Sequence, residues 1–375
     1  MDFKLTEERQ MLQDSLRRFL SDRYTTQIRN EIIDSPEGQS ASVWSDLADL
    51  GVIGALFSEE DGGFGGSGFD IATVFEELGR AGVVEPFLDT ALLCGGLIAE
   101  LGSAEQKKLV DEVISGTLQL ALAHGEPAAR YDLSRVEARV LVDGDHLVLT
   151  GRKSVVINAE AAKYLIVSAR EDGGVFNEAG ISLFLVPAAT NGVTMQGYGM
   201  ISGGRAAEVV FDGVRLPLSA RLGEAGKGFA ALSDRVAAAN VALAAETVGA
   251  METATELTRD YLMTRKQFGR PIGTFQALAH RFSDMLIELE QARSAMINAA
   301  GNLGSADQAV QNAAARNLVA RVGRLIAEEA IQMHGGIAMT REYELAHIAK
   351  RIVMAEHRFG DADYHLERFI EFSAA

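Results

Sequence analysis

Val140-Leu141-Val142-Asp143-Gly144-Asp145-His146-Leu147-Val148-Leu149 carries the period that sets the architecture of this chain. Two aliphatic runs flank Asp143-Gly144-Asp145, the pattern of a β-hairpin, because glycine and aspartate tolerate the backbone angles of a tight turn. Outward from it, strand-like runs follow at residues 164–168, 181–186, 193–195 and 208–211, separated by glycines and with no helical segment between them. From about Leu118 to Leu222 this spacing predicts an antiparallel β-barrel or sandwich. No Gly-x-Gly-x-x-Gly follows any of these runs, so a nicotinamide site is unsupported.

On both sides the period lengthens to that of helices. Phe3, Leu5, Met11, Leu12, Leu16 and Leu20 recur at mostly three-to-four-residue steps, and helical runs cover 42–50 and 71–82. Between these runs, residues 59–68 form a glycine-rich break without the Gly-Lys-Ser/Thr ending of a P-loop, which reads as a surface turn with no helix. After about Gly226, Val236, Asn240, Leu243, Thr247, Ala250, Ala254, Leu257 and Tyr261 lie on one helical face. Beyond the Gly269-Arg270-Pro271 break, a second stripe runs Phe275, Leu278, Phe282, Met285, Leu289, Ala292, Met296. A third runs Leu318, Val322, Ile326, Ala330, Met333 and ends at Gly335-Gly336. Long helices with such stripes predict a bundle. The fold class expected is α+β, mainly α: an N-terminal helical domain (1–116), a middle antiparallel β-barrel domain (117–225) and a C-terminal four-helix bundle (226–375).

Composition bounds the function. The 375 residues suggest two to three domains, and 47% hydrophobic content can form a core. Thirty-five basic against 52 acidic residues give a net charge of −17, which argues against nucleic-acid binding. A single cysteine, Cys94, excludes an intrachain disulfide, a cysteine-rich zinc site and an iron–sulfur cluster. His334, His347, His357 and His365 show no metal-ligand spacing, so no metal is expected. No apolar run is long enough for a membrane span, and residues 1–20 are amphipathic rather than a signal peptide. A cytoplasmic protein with no membrane insertion is expected.

The ordered motifs resemble the acyl-CoA dehydrogenase family over essentially the whole length. Phe3-x-Leu5-x-Glu7-Glu8 is similar to its N-terminal helix. Leu50-Gly51-Val52-x-Gly54, Glu59-Glu60-x-Gly62-Gly63 and Glu76-Glu77-Leu78-Gly79 are similar to its second signature. The most specific blocks are Arg265-Lys266-Gln267-Phe268-Gly269-x-x-Ile272 with Phe275-Gln276, and Gln332-Met333-His334-Gly335-Gly336. The resemblance implies FAD as cofactor and α,β-dehydrogenation of an acyl-CoA thioester, in which a carboxylate takes the α-proton and the flavin takes the β-hydride. It implies cofactor roles for Arg265, Phe268, Gln276, Gln332, Gly335, Gly336, Glu126 and Asn158. Arg265 and Phe268, read as one helical turn apart, would face one ligand. Arginine suits a pyrophosphate through its planar fork, and the glycines allow close backbone approach.

Two middle-domain motifs and the base loop depart from the family pattern. The middle-domain Thr-Glu-Pro signature reads Gly125-Glu126-Pro127, and the Trp-Ile-Thr type reads Val155-Val156-Ile157-Asn158, without the indole and the hydroxyl. The C-terminal loop that commonly carries the base reads Phe359-Gly360-Asp361-Ala362-Asp363, with Gly360 at the glutamate position. The alternative place on the first bundle helix holds Ala239 and Asn240. Asp361 is the candidate base, with Glu246 and Asp363 as alternatives, since a base must first reach its proton. Arg130-Tyr131-Asp132-Leu133 and residues 359–363 resemble the small-subunit type of two-component acyl-CoA dehydrogenases, such as the pimeloyl-CoA enzymes.

That resemblance implies one subunit of a heteromeric enzyme, a heterotetramer with a paralogous chain, with a homo-oligomer as the other assembly the family uses. Its partners would be an acyl-CoA and an electron-transfer flavoprotein or similar acceptor. A non-catalytic subunit completing another chain's FAD site, and an acyl-CoA oxidase or flavin monooxygenase on the same fold, are the alternatives.

Overall fold

A computed structural model of the chain describes residues 5–374; Phe3 lies outside them. In chain order the helices α1 (Glu7–Arg23), α2 (Thr26–Asp34), α3 (Ala41–Asp49) and α4 (Gly68–Ala81) come first. A π-helix (Phe87–Gly95), α5 (Gly96–Leu101) and α6 (Ala104–Ile114) follow. Then come β1 (Leu120–Ala123), β2 (Arg139–Asp143), β3 (His146–Ile157), β4 (Tyr164–Arg170), β5 (Ile181–Pro187), β6 (Val193–Gly199), β7 (Arg205–Pro217) and β8 (Arg221–Leu222). The last part holds α7 (Gly228–Thr264), β9 (Lys266–Gln267), β10 (Arg270–Pro271), α8 (Gln276–Gly301), α9 (Gln308–His334), α10 (Glu344–Ala355) and α11 (Ala362–Ala374). Two compact units result. One joins the chain up to Glu31, Ser67–Val83 and the residues from Asn240 onward; the other joins Ile32–Gly66 and Val84–Ala239.

In the bundle unit, Thr6 caps α1, and a Ser67/Asp70 capping box starts α4. Arg9 Nε bonds Asp70 at 2.6 Å, and the Arg17 guanidinium grips both oxygens of buried Glu77, fastening α1 to α4. Helix α4 crosses α7 on reciprocal glycines. A Cβ on Gly79 would lie 1.9 Å from the Glu246 carbonyl oxygen, and one on Gly249 would lie 1.9 Å from that of Glu76. The single-face reading of α7 is too narrow, because every residue from Ala238 to Met251 is buried. A helix rich in alanine and apolar on all sides lies inside a protein rather than on its rim. The second and third stripes do face inward, through Met285, Leu289, Ala292 and Met296 on α8 and Val322, Ile326, Ala330 and Met333 on α9.

In the β unit one sheet runs β6-β7-β3-β2-β4-β5-β8. The expected β2–β3 hairpin forms, with a shorter turn than the three residues read from sequence: Asp143 pairs opposite His146, so Gly144 and Asp145 alone make the turn. Val209 and Phe211 from β7 share a buried cluster with Ile181 and Phe184 from β5, so the sheet curls round its own core. Two ladders depart from the antiparallel expectation: β1 runs parallel to β4, Leu120 opposite Tyr164 through Ala123 opposite Val167, and β2 meets β4 in parallel at Arg139 opposite Arg170. These strands are not sequential hairpin partners, so no tight turn constrains their direction. The Thr90 hydroxyl donates to Leu120 O and accepts from Leu120 N, latching the fully buried π-helix to β1.

The glycine-rich break is a packed turn. A Cβ on Gly63 would sit 2.3 Å from the Gly54 carbonyl oxygen, which requires glycine where the chain folds back on itself. Two details differ from the expectation: residues Glu59–Asp61 form a 3-10 turn, and α4 begins at Gly68 because Ser67 caps it.

Candidate active site

The cofactor candidates of the bundle unit lie on exposed backbone junctions. Helix α7 stops at Thr264, and Lys266–Gln267 pairs antiparallel with Arg270–Pro271. Phe268 and Gly269 form the tip, both at positive φ (53° and 80°). The helical turn expected between Arg265 and Phe268 is therefore a hairpin. The motif's own glycine and proline explain the change, since Pro271 has no N–H to continue a helix.

Phe268 is 91% exposed, an aromatic ring held outward on a non-glycine left-handed residue. Phe275 stands 6.0 Å from it edge to face, with the Arg270 guanidinium 4.1 Å over the Phe275 ring. Arg265, Gln276 at the start of α8 and Gln332 near the end of α9 are all exposed. Gly335 ends α9 at φ 71°, and no atom lies within 4 Å of a Cβ built on it or on Gly336.

His334 anchors that terminus, a role that spacing alone did not disclose. Its Nδ1–H donates to the Ala330 carbonyl at 2.8 Å, its ring stacks on Tyr261 at 4.5 Å, and Tyr343 stands 5.4 Å away. Burial holds its pKa below the ordinary histidine value. An exposed cation, an outward ring, two amides and two open glycines are the groups that an anionic dinucleotide needs, so these residues fit FAD.

The base loop is filled. Arg316 on α9 is 1% exposed, and its Nη2 lies 3.0, 2.9 and 3.4 Å from the carbonyl oxygens of Ala355, Arg358 and Gly360. Asn317 Nδ2 donates to Ala362 O at 2.8 Å. Gly360 is buried at φ 127°, and a Cβ there would lie 2.3 Å from the Tyr364 ring and 2.6 Å from His365 Nε2. His365 is 4% exposed, and burial first, then the Arg316 charge, pull its pKa to about 3, so it is neutral. A proton on it would have to sit in a dry site beside a guanidinium, which makes it a poor acceptor.

The three candidate carboxylates lie in different surroundings. Asp361 accepts from the Tyr364 N–H at 2.9 Å, the geometry of a helix N-cap on α11. Glu246 is mostly buried, 2.7 Å from Arg351 Nε on α10. Asp363 is exposed in the first turn of α11, favourable for the helix dipole. At the alternative base position Ala239 is fully buried, and the buried Asn240 Oδ1 has no hydrogen-bond partner among the described residues.

The β unit holds the other two candidates within polar networks. The Glu126 carboxylate accepts from the N–H groups of Glu137 (2.7 Å) and Ala138 (3.0 Å) and from Lys153 Nζ (2.7 Å). Lys153 is fully buried and also donates to the His124 carbonyl at 3.1 Å and to Ser168 Oγ at 3.0 Å. Ser168 Oγ is 2.8 Å from His124 Nδ1. Desolvation lowers Lys153 to about 8 and His124 to about 3.

Asn158, at φ 63°, accepts from Gln39 Nε2 at 3.0 Å, and Gln39 in turn bonds Gln119 at 2.9 Å. Thus Glu126 and Asn158 hold the β unit's own loops, whereas the bundle candidates point outward. Lys153, His124 and Ser168 were missed, although Leu147, Leu149 and Lys153 share one parity along β3 and so one face of the sheet.

Helices, a curled β sheet and a helical bundle, in this order along the chain, are the scaffold of the flavin-dependent acyl-CoA dehydrogenases. Three family descriptions match in order: acyl-CoA dehydrogenase N-terminal domain at residues 6–117, middle domain at 121–214 and C-terminal domain at 226–372. The chain belongs to the acyl-CoA dehydrogenase family, a family of flavoprotein oxidoreductases. The short-chain-specific acyl-CoA dehydrogenase of Megasphaera elsdenii is 31% identical over 319 residues, spanning 80% of this chain and 81% of the relative. Among solved structures, a variant of the Tcur3481-Tcur3483 steroid acyl-CoA dehydrogenase is 29% identical, with a TM-score of 0.87 and 98% of each chain covered. The FAD complex of PigA is 26% identical, with a TM-score of 0.91, covering 100% of this chain and 99% of that one. Among the described residues no helix is long and apolar enough to cross a membrane, and no cluster of three or more His, Cys, Asp or Glu could hold a metal ion.

Proposed function

We propose that this chain is one subunit of a two-component, FAD-dependent acyl-CoA dehydrogenase in which the carboxylate that removes the substrate α-proton belongs to a paralogous chain. One observation carries the reading: position 360, where the family commonly holds that carboxylate, is a glycine whose side-chain space is filled by Tyr364 and His365. A methylene there overlaps two rings, so no carboxylate fits at 360 without rebuilding the first turn of α11. Asp361 stays a helix cap and Glu246 stays paired with Arg351. The likeness to a steroid enzyme whose name joins two components, Tcur3481 and Tcur3483, supports the same reading.

FAD, when bound, supplies the acceptor for the β-hydride. Arg265 offers its guanidinium to the cofactor's pyrophosphate, Phe268 its ring face, and Gln276 and Gln332 their amides to the adenosine end. Gly335 and Gly336 leave room for the ligand to approach the backbone. The paralogous chain receives the α-proton, and an electron-transfer flavoprotein takes the electrons onward.

The test is turnover of acyl-CoAs by the chain purified alone, by its Gly360→Glu variant, and by the chain co-expressed with a base-bearing paralogue. The reading expects no turnover from the first two and turnover from the third. Dehydrogenation by the chain alone, at a rate typical of a dehydrogenase, would overturn it.

A further inference from the structure

His334 stands between the two cofactor motifs of the bundle unit. It is the last residue of α9, directly before Gly335 and Gly336, and its ring stacks on Tyr261 of α7 at 4.5 Å. The Tyr261 carbonyl in turn accepts from the Arg265 N–H at 2.8 Å, one turn further along. One imidazole therefore joins the end of α7, where Arg265 emerges, to the end of α9, where the two glycines follow.

The ring is 5% exposed, and its two nitrogens are not equivalent. Nδ1 faces the Ala330 carbonyl, which can only accept, so Nδ1 carries the proton of the neutral ring. Nε2 is then a bare acceptor, buried and without a hydrogen-bond partner among the described residues. The carbonyls of Ala330 and Leu257 both favour a protonated ring, and burial outweighs them. Among the described residues no charged side chain adds to that balance. Tyr343, on the other side of the ring, is itself pushed above the ordinary tyrosine value, by burial first and then by Tyr261, Glu344 and Asp260.

The helix end beside this ring has the wrong polarity for a pyrophosphate. Gln332, Gly335 and Gly336 lie at the C-terminal end of a 27-residue helix, which carries partial negative charge. A cation in the last turn offsets that charge, and His334 is the basic residue there.

We infer that His334 is the positioning residue of the FAD cradle and that it takes up a proton when the cofactor's phosphates arrive. The assignment rests on the FAD-dependent reading above and makes cofactor uptake proton-linked. The proton comes from solvent and sits on Nε2, giving an imidazolium that donates to Ala330 and faces the Leu257 carbonyl. A nearby dianion strengthens the hold on that proton, and by reciprocity the proton strengthens the hold on the dianion. Below the titration midpoint of the free chain the ring is charged with and without FAD; above the midpoint of the loaded chain it is neutral in both. FAD affinity therefore falls as the pH rises between these two midpoints and is level outside them.

The FAD dissociation constant, measured between about pH 5 and 8 on the chain alone and with its paralogue, tests this. Affinity should weaken about three- to tenfold across that range, with net proton uptake seen by calorimetry in buffers of different ionisation heat. Nitrogen-15 NMR should place the His334 midpoint higher in the loaded protein than in the flavin-free one. His334→Phe keeps a ring to stack on Tyr261 but cannot take the proton, so its FAD affinity should not vary with pH. His334→Ala loses the stack as well and should bind FAD weakly throughout; wild-type affinity in that variant would remove the positioning role. A wild-type affinity that ignores pH, or a slope that persists unchanged in folded His334→Phe protein, would overturn the proton linkage and leave the functional reading standing. A wild-type chain that takes up no FAD, alone or with its paralogue, would overturn both.

Discussion

Gly360 is the residue on which the functional reading turns. Its φ of 127° is open to glycine and strained for any other residue, and its Cβ direction is blocked by Tyr364 and His365. Gly360→Ala should therefore destabilise the fold by about 2–4 kcal/mol, the sum of backbone strain and overpacking, read as a lower urea midpoint. A change within ±0.5 kcal/mol would mean that the loop relaxes freely and that position 360 has room. In sequence the glycine at the glutamate position was visible, and so was the shortage of substitutes. The reason no neighbour replaces it was not. That reason lies in a dihedral angle and in two rings four and five residues onward, neither of which any pattern of residue types encodes. Lys153 makes the same point in reverse: its strand parity put it on the core face, yet its partners His124, Ser168 and Glu126 come from separate segments.

Elements set the second scale. The C-terminal end of α10 runs straight into the base loop, and the carbonyls of Ala355, its last residue, and of Arg358 and Gly360 in the loop all bond a single buried guanidinium. Arg316→Met, similar in length but without donors, should cost on the order of 2–4 kcal/mol and speed amide exchange selectively in the segment from Ala355 to Asp361. Uniform exchange across the bundle unit would instead give Arg316 a general packing role.

At the other end of the unit, the Phe268–Gly269 tip and the Gly335 terminus present groups outward with little of their own protein against them. Arg265→Ala should lower FAD retention in the assembled protein roughly five- to fifty-fold through loss of a charge-assisted bond, with an unchanged thermal midpoint for the flavin-free chain. Retained FAD would remove Arg265 from the site. The helical stripes and the β2–β3 hairpin were legible because periodicity reports local burial. The hairpin at Phe268 and the parallel β1–β4 pairing were not, since the first rests on positive φ at a phenylalanine and the second joins strands forty residues apart.

For the whole molecule, order of elements and cofactor class were readable from the succession of periods and motifs. The all-round burial of α7 and the division into two units interleaved along the chain emerge only from packing. One global property follows from two buried histidines. His124 and His365 have folded pKa values lowered to about 3, against about 6.5 when unfolded. The unfolded chain therefore binds more protons than the folded one between these limits, and stability rises with pH through that window. Their contribution is complete above about pH 6.5 and is lost progressively as the pH falls toward 3. Unfolding at pH 5 should take up close to two protons on these imidazoles, and neither should titrate in the folded protein between pH 5 and 8; a folded-state midpoint near 6.5 for either would contradict this.

The central claim, a flavoprotein subunit without its own base, is tested most directly by anaerobic titration of the chain purified alone and supplied with FAD. Acyl-CoAs of graded chain length would be added while the visible flavin band is followed. The account predicts a band that no thioester bleaches until the paralogous chain is added. Stoichiometric bleaching by one acyl-CoA with this chain alone would contradict it and return Asp361, Glu246 and Asp363 to the search for the base.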